Sequence, residues 1–318
     1  MAASVIGAIC ILGAALLMFP TVAAWFSQYE QSQRIDDYRA DVSDLGVETL
    51  HDFVRQARDY NRSLTGGGAD IAAGERLPIA DQPEQSGDYA ALLRADADGL
   101  MARLKIPAIT VDLPIYHGTD AAVLEHGVGH LEGTALPVGG SSTHSVLTAH
   151  RGLATAELFT HLDLVEVDDT FTIEVFGEVN TYRVIETQVV DPSDTQSLQP
   201  RSGEDLVTLV TCTPLGVNSH RILVTGERVV PTPAEDLADA GRKPEIPFFP
   251  WWILVASAVV IGVGLYIWLS GRPVRPTAHS ATEPAPEATS TALAPSEPVG
   301  PRRAGRRGGS PPPAGDPG

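Results

Sequence analysis

Leu206-Val-Thr-Leu-Val-Thr-Cys212 is the stretch on which the reading of this chain turns. Val207, Thr208, Val210 and Thr211 are β-branched, the kind of side chain that suits a pleated, buried strand. The run ends on a cysteine, where a rigid sheet can present a side chain to a ligand. Similar β-prone runs lie upstream at Ala102–Ile106, Val111–Tyr116, His144–His150, Phe171–Phe176 and Thr181–Val190, and downstream at Arg221–Val229. Turn residues separate them. Seven or eight short strands in roughly 130 residues predict a mainly β fold, a compact barrel or sandwich. Two short helical stretches interrupt the pattern, near Ala121–His126 and Thr155–Leu162.

Outside the β region the character changes. Residues 27–62 carry Tyr29, Ile35, Tyr38, Val42, Leu45 and Leu50 at roughly helical spacing and are expected to form helix. Ser63–Gly87 is rich in Gly, Ala, Asp and Pro and reads as a loop, long enough for a flap or a linker. Asp88–Leu93 reads as a short helix. Pro231–Pro247 is a polar linker, and the tail from Gly271 is too rich in Pro, Ala, Ser and Gly to build a core.

Two segments are membrane candidates. Trp251–Ser270 is twenty residues without a charge, enough helix to cross the hydrocarbon core. Trp251 and Trp252 stand at one end and Tyr266 and Trp268 near the other, as interfacial aromatics do. The first segment runs from about Ala2 to Phe26 and reads as an uncleaved signal anchor. The Ala-Xaa-Ala-like stretch around Val22-Ala23-Ala24 leaves a cleaved signal peptide as the alternative. No basic residue precedes it, so the true start is expected upstream.

The charge distribution gives an orientation. The chain has 22 Lys plus Arg against 40 Asp plus Glu, a net −18 that argues against a nucleic-acid partner. The tail from Gly271 holds six arginines and four carboxylates, a surplus of two positive charges, so the remainder carries −20. By the positive-inside rule the tail is cytoplasmic and residues 27–247 lie outside the cell. The expected organisation is an N-terminal membrane anchor at 1–26, a helical region with a lid-like loop at 27–95, a catalytic barrel at 96–232, a linker at 233–246, a transmembrane helix at 247–270 and a disordered tail at 271–318.

Cys10 lies in the first apolar segment and Cys212 in the external domain, so a disulfide between them is implausible. A lone external cysteine is either a small buried hydrophobe or a nucleophile. Cys212, His150 and Arg221 all stand at the ends of β-prone runs, and together they are the parts of a thiol acyl-transfer site. The cysteine attacks a carbonyl, the histidine trades protons and the arginine stabilises the oxyanion. Spacing alone does not join them, since Cys212 and His150 are 62 residues apart. His117, His126, His130, His144, His161 and His220 read as ordinary core or surface histidines.

Longer motifs carry a resemblance. Thr208-Leu-Val-Thr-Cys212 resembles the sortase signature around the nucleophile, and Arg221 follows nine residues after the cysteine, as in that family. Leu147-Thr-Ala-His-Arg-Gly152 is similar to the segment around the sortase histidine. Leu113-Pro-Ile-Tyr-His-Gly118, Gly127-Val-Gly-His-Leu-Glu-Gly133 and Leu136-Pro-Val-Gly-Gly140 look like class C sortases, the pilin polymerases. The similarity covers about Leu100–Val230.

The resemblance implies a closed sortase-type barrel of about eight strands, preceded by helices and flanked by two transmembrane helices. It implies a cysteine transpeptidase in which Cys212 is the nucleophile, His150 the acid and base, and Arg221 the oxyanion partner. Thr211 would contact substrate. The implied partners are LPXTG-bearing surface or pilin proteins, with a pilin lysine as acceptor and with no cofactor or metal. A cell-wall anchoring sortase, a hydrolysing thiol protease and an inactive surface scaffold are the alternatives. One departure stands out: class C lids carry an Asp-Pro-aromatic motif, and Ser63–Gly87 offers only Asp81-Gln82-Pro83. That loop is therefore expected to cover Cys212 loosely.

Overall fold

The computed structural model describes residues 2–67, 87–94, 99–244 and 247–272. Eight strands follow the β-prone runs: β1 (Leu100–Ile106), β2 (Val111–His117), β3 (Val128–His130), β4 (Thr143–Thr148), β5 (Thr170–Val175), β6 (Glu178–Val190), β7 (Asp205–Thr213) and β8 (His220–Arg228). They close into a barrel in the order β1-β2-β3-β4-β7-β8-β6-β5, with β5 returning to β1. The β2–β3 and β4–β7 pairs are parallel and the others antiparallel. Closure leaves no terminal edge strand among the described residues. β3, only three residues long and centred on Gly129, was not expected from the sequence.

β7 explains its own unbroken composition. Val207 and Leu209 belong to the main core with Leu104, Leu147, Phe171 and Val224. Val210 belongs to a second, smaller cluster with Leu131, Val146, Leu198 and Leu223. The strand is thus covered on both faces, and a doubly covered strand reads as a continuous apolar run rather than an alternating one.

Among the described residues six helices accompany the barrel: α1 (Ala2–Asp44), α2 (Val47–Gly67), α3 (Gly87–Ala91), α4 (Ala121–His126), α5 (Ala234–Ala238) and α6 (Trp251–Ser270). The expected helix over 27–62 proves to be two. Its first half is continuous with the apolar N-terminal segment, and the chain breaks at Leu45-Gly46 before α2. α2 reaches Gly67, further than expected, and residues 68–86 of the loop Ser63–Gly87 lie outside the described residues. The tail lies outside them from residue 273.

α1 and α6 are long and apolar enough to cross a membrane, and almost none of their apolar stretches is buried in protein. They pack on each other where Gly7 meets Val263: a Cβ on Gly7 would sit 2.9 Å from the Val263 Cγ1. Small residues permit such close helix approach. At the far end of α6's approach the Trp25 indole N–H donates to the Phe248 carbonyl at 2.9 Å.

Two further segments depart from expectation. Thr155–Leu162 is not a helix, although Ala156, Phe159 and Leu162 fall at helical spacing and are buried. Its backbone pairs back onto the end of β4 instead: the Phe159 N–H donates to the His150 carbonyl at 3.1 Å. The polar stretch after β8 is also not a free linker along its length. Arg103 is buried between Asp112 and Glu174 and donates to the Arg242 carbonyl at 2.6 Å, while Thr181 donates to Asp236 in α5.

Candidate active site

The site forms where β4, β7 and β8 end together. Cys212 is the ladder partner of Arg221 across the antiparallel β7–β8 pair. The parallel β4–β7 ladder ends with Thr148 beside Val210. Beyond it the Ala149 N–H still donates to the Val210 carbonyl at 3.2 Å, and the Thr211 hydroxyl donates to the Ala149 carbonyl at 2.8 Å. Carrying that alignment one residue on brings His150 level with Cys212. The register thus pairs Cys212 with Arg221 and leads the chain at His150 toward the same end of the barrel. The period-2 alternation sets all three on the outer face, above the cluster of Val146, Val210 and Leu223.

Burial governs the electrostatics. Cys212 is buried, which pushes its thiol above the usual cysteine range, and the Arg221 guanidinium pulls part of the way back. His150 is half-buried, which pushes its imidazole below the usual range, against an opposing pull from the Glu125 carboxylate on α4. Desolvation thus favours the neutral form of both groups. Arg221 is buried and anchored by two donations from Nη1, to the Asn218 and His220 carbonyls, each at 3.0 Å. Its Nε–H, also buried, has no partner among the described residues and is available to an incoming acceptor.

Thr211 is placed differently from the expectation that it contacts substrate. It is fully buried, and its hydroxyl is committed to the Ala149 carbonyl. Odd positions of β7 face the barrel interior, so the residue before Cys212 ties β7 to β4 rather than facing the cleft.

One residue was missed in the sequence. Arg151, next to His150, has a side chain only 9% exposed and makes an ion pair with Asp163 at 2.7 Å. The same guanidinium donates from Nε to the Thr160 carbonyl at 3.1 Å and from Nη1 to the Thr213 hydroxyl at 2.9 Å. It thereby links the residues that follow His150 and Cys212. Gly152, at φ +73°, turns the chain away, and a Cβ there would run into Leu215 at 2.2 Å. The only sequence signal was a charged residue directly after the candidate histidine.

The other histidines weighed as candidates are structural or exposed. His144 donates from Nδ1 to the Gln199 carbonyl at 3.1 Å and is bridged at Nε2 to Thr208 at 2.7 Å, pinning the β6–β7 connection that supplies Leu198. His130 contacts the Tyr89 hydroxyl at 2.8 Å, and burial lowers its pKa to about 4. His117 lies between the Leu92 and Gly99 carbonyls. His126, His161 and His220 are exposed.

Comparison with known proteins gives this arrangement its family. The model of the sortase domain matches residues 104–229, a span that contains all three strand-end residues. The crystal structure of sortase C-1 from Actinomyces oris aligns over 98% of its length and 57% of this chain, at 48% identity and a TM-score of 0.52. The chain belongs to the sortase family. Sortases are cysteine transpeptidases, and a solved sortase C of Streptococcus pneumoniae, whose description concerns catalysis and pilin substrate specificity, aligns over 96% of its length and 62% of this chain (38% identity, TM-score 0.54). Sortase D of Bacillus subtilis (strain 168) is 33% identical over 130 residues, 40% of this sortase chain. The match spans 62% of that curated relative.

Proposed function

We propose that this sortase is a cysteine transpeptidase that joins secreted surface proteins to an amine, with a pilin lysine as the acceptor. What supports the reading is the strand register: Cys212 and Arg221 are ladder partners, and the β4–β7 alignment, carried past Thr148 and Val210, leads His150 toward the same end of the barrel. The Cys212 thiolate attacks the carbonyl carbon of the Thr–Gly bond in an LPXTG-like signal, and the Arg221 guanidinium receives the charge that develops on oxygen. As the C–N bond breaks, the protonated His150 gives its proton to the departing amine, leaving a thioacyl-enzyme. His150 then accepts a proton from the incoming amine as it attacks the thioester, and Cys212 leaves as thiolate. Arg151 acts through its neighbours as a positioning residue.

Support for a pilin acceptor comes from the class C relatives and from the upstream motifs at residues 113–118, 127–133 and 136–140. The catalytic part lies outside the cell and the arginine-bearing tail inside, on the positive-inside rule. The test incubates the solubilised full chain with an LPXTG peptide, with and without a lysine-bearing peptide. Mass spectrometry is expected to find a thioacyl adduct on Cys212 and an isopeptide product that requires the amine. Hydrolysis at the same rate with and without amine, and no isopeptide, would overturn the transferase reading.

A further inference from the structure

The end of the barrel that carries Cys212 also touches the membrane helices. The stretch after His150 is tied to α1 by a donation from the Gln28 side chain to Glu157 at 3.2 Å. Between them lies a cavity of about 460 Å³, whose walls include Gly152, Leu153 and Ala154 on one side and Trp25, Phe249 and Trp251 on the other. Those aromatics stand where α1 and α6 enter their apolar stretches, and Trp25 and Trp251 among them are of the type that sits at a bilayer's headgroup layer.

The β7–β8 turn sits against the same place. Leu215 lies within contact of Gly152. The turn is closed by donations from the Val217 and Asn218 N–H groups to the Pro214 carbonyl. That turn pushes apolar side chains outward: Leu215 is 51% and Val217 70% exposed. Charge is sparse as well: the carboxylate in the cavity wall, Glu157, is the one bound by Gln28. Residues 152–156 and 213–219 contain no Asp, Glu, Lys or Arg, although the chain before residue 271 carries a net −20. A charged side chain placed against lipid is costly, and an apolar tip flanked by interfacial aromatics is favourable there.

We propose that the turn Pro214–Asn218 and the neighbouring stretch 152–156 lie in the headgroup layer of the bilayer that holds α1 and α6, so that the Cys212 cleft opens at the membrane surface. The proposal rests on the reading of α1 and α6 as membrane spans. It goes beyond that reading, because a barrel anchored by two helices could equally turn this end to water. The patch continues directly from the juxtamembrane aromatics, and this continuity is why its occupant is the bilayer and not a second protein.

The experiment uses the full chain with Cys10→Ala and Cys212→Ala, reconstituted in vesicles of equal parts phosphatidylcholine and phosphatidylglycerol. A single cysteine carrying an environment-sensitive fluorophore is placed by Val217→Cys, by Ser202→Cys on the exposed β6–β7 connection, or by Val260→Cys within α6. Lipids spin-labelled near the headgroup are then added to the vesicles. The Val217→Cys label is expected to emit further to the blue than the Ser202→Cys label and to be quenched several-fold more strongly. If Val260→Cys is quenched by lipids spin-labelled deeper in the chain while Val217→Cys behaves like Ser202→Cys, the membrane contact is overturned and the spans stand. A blue shift at Val217→Cys without lipid quenching would place the tip against protein, this chain or a second copy of it, and equally overturn the proposal. If Val260→Cys itself escapes quenching, the spans fall and the proposal falls with them.

Discussion

Arg221 faces Cys212 directly across the β7–β8 ladder, and its buried Nε–H is without a partner among the described residues. Such a donor is valuable only when charge appears nearby. Arg221→Ala is therefore expected to lower kcat/KM about 10²–10³-fold, as loss of an oxyanion donor does. Arg221→Lys is expected to recover part of this, since an ammonium keeps the charge but loses the planar fork. Cys212→Ala is expected to abolish the thioacyl adduct with the fold intact, and Cys10→Ala to change neither. Circular dichroism and peptide kinetics on the same samples check all four.

The pH profile follows from the two opposed shifts. Turnover needs Cys212 as thiolate and His150 protonated. Burial raises the first group and lowers the second, so the neutral pair predominates and the reactive pair is a minor fraction. Below the lowered His150 pKa the thiolate fraction keeps falling with no gain in imidazolium. Above the raised Cys212 pKa the imidazolium fraction falls with no gain in thiolate. A broad plateau of kcat/KM is expected between those limbs. Glu125→Gln removes a group that raises His150, so the acid limb should move to lower pH. Arg221→Ala removes a group that lowers Cys212, so the basic limb should move to higher pH. An acid limb that does not move in Glu125→Gln would remove the carboxylate from this account.

Arg151 joins the ends of β4 and β7 through Asp163, Thr160 and Thr213. Arg151→Ala is expected to lower kcat by about 10–100-fold with KM little changed, because a small misplacement of reacting groups costs rate. Asp163→Asn should weaken the same arrangement, and the double variant should be less than additive. Thermal unfolding of each variant separates a displaced His150 from a general loss of stability. A change confined to the unfolding temperature would reduce Arg151 to a structural role.

Thr211 provides the opposite case. Thr211→Val removes a buried donation to the Ala149 carbonyl and is expected to cost about 1–2 kcal/mol of stability. Its KM for the sorting peptide should stay within error of the parent. A raised KM at unchanged stability would return Thr211 to the cleft.

Membrane orientation has its own test. Protease added to intact, wall-stripped cells is expected to digest the part between α1 and α6 and to spare a tag placed at Gly318. Equal loss of tag and barrel would refute the assignment.

Most of the barrel was legible because its strands are β-branched runs cut by turn residues, and such runs need no tertiary information to be seen. β3 escaped because three residues around Gly129 carry no propensity of their own and pair only through their neighbours. The stretch 155–162 was misread because Ala156, Phe159 and Leu162 mimic a helical stripe. Arg151 and the His150 carbonyl hold that stretch in another shape, and neither tie is visible in a local pattern. Cys212 and Arg221 lie nine residues apart on a hairpin, so their meeting was within reach of local reasoning. His150 is led toward that end only by the parallel β4–β7 pairing, a non-local register that spacing in the sequence cannot reveal.

The continuity of α1 sets a length scale. Beyond its apolar stretch it runs from about Ser27 to Asp44, which at 1.5 Å per residue is about 27 Å of rod. The barrel is fastened to that rod, since the Tyr38 hydroxyl donates to the Met101 carbonyl at 3.1 Å and accepts from the Phe176 N–H at 3.0 Å. On the other side Arg103 clamps the segment returning to α6. A domain fastened to a rod of that length cannot sweep a volume as one on a slack tether would. On the reading of α1 and α6 as membrane spans, its encounters with partners held in the same membrane become a search in two dimensions, governed by lateral diffusion and by how densely those partners populate the plane.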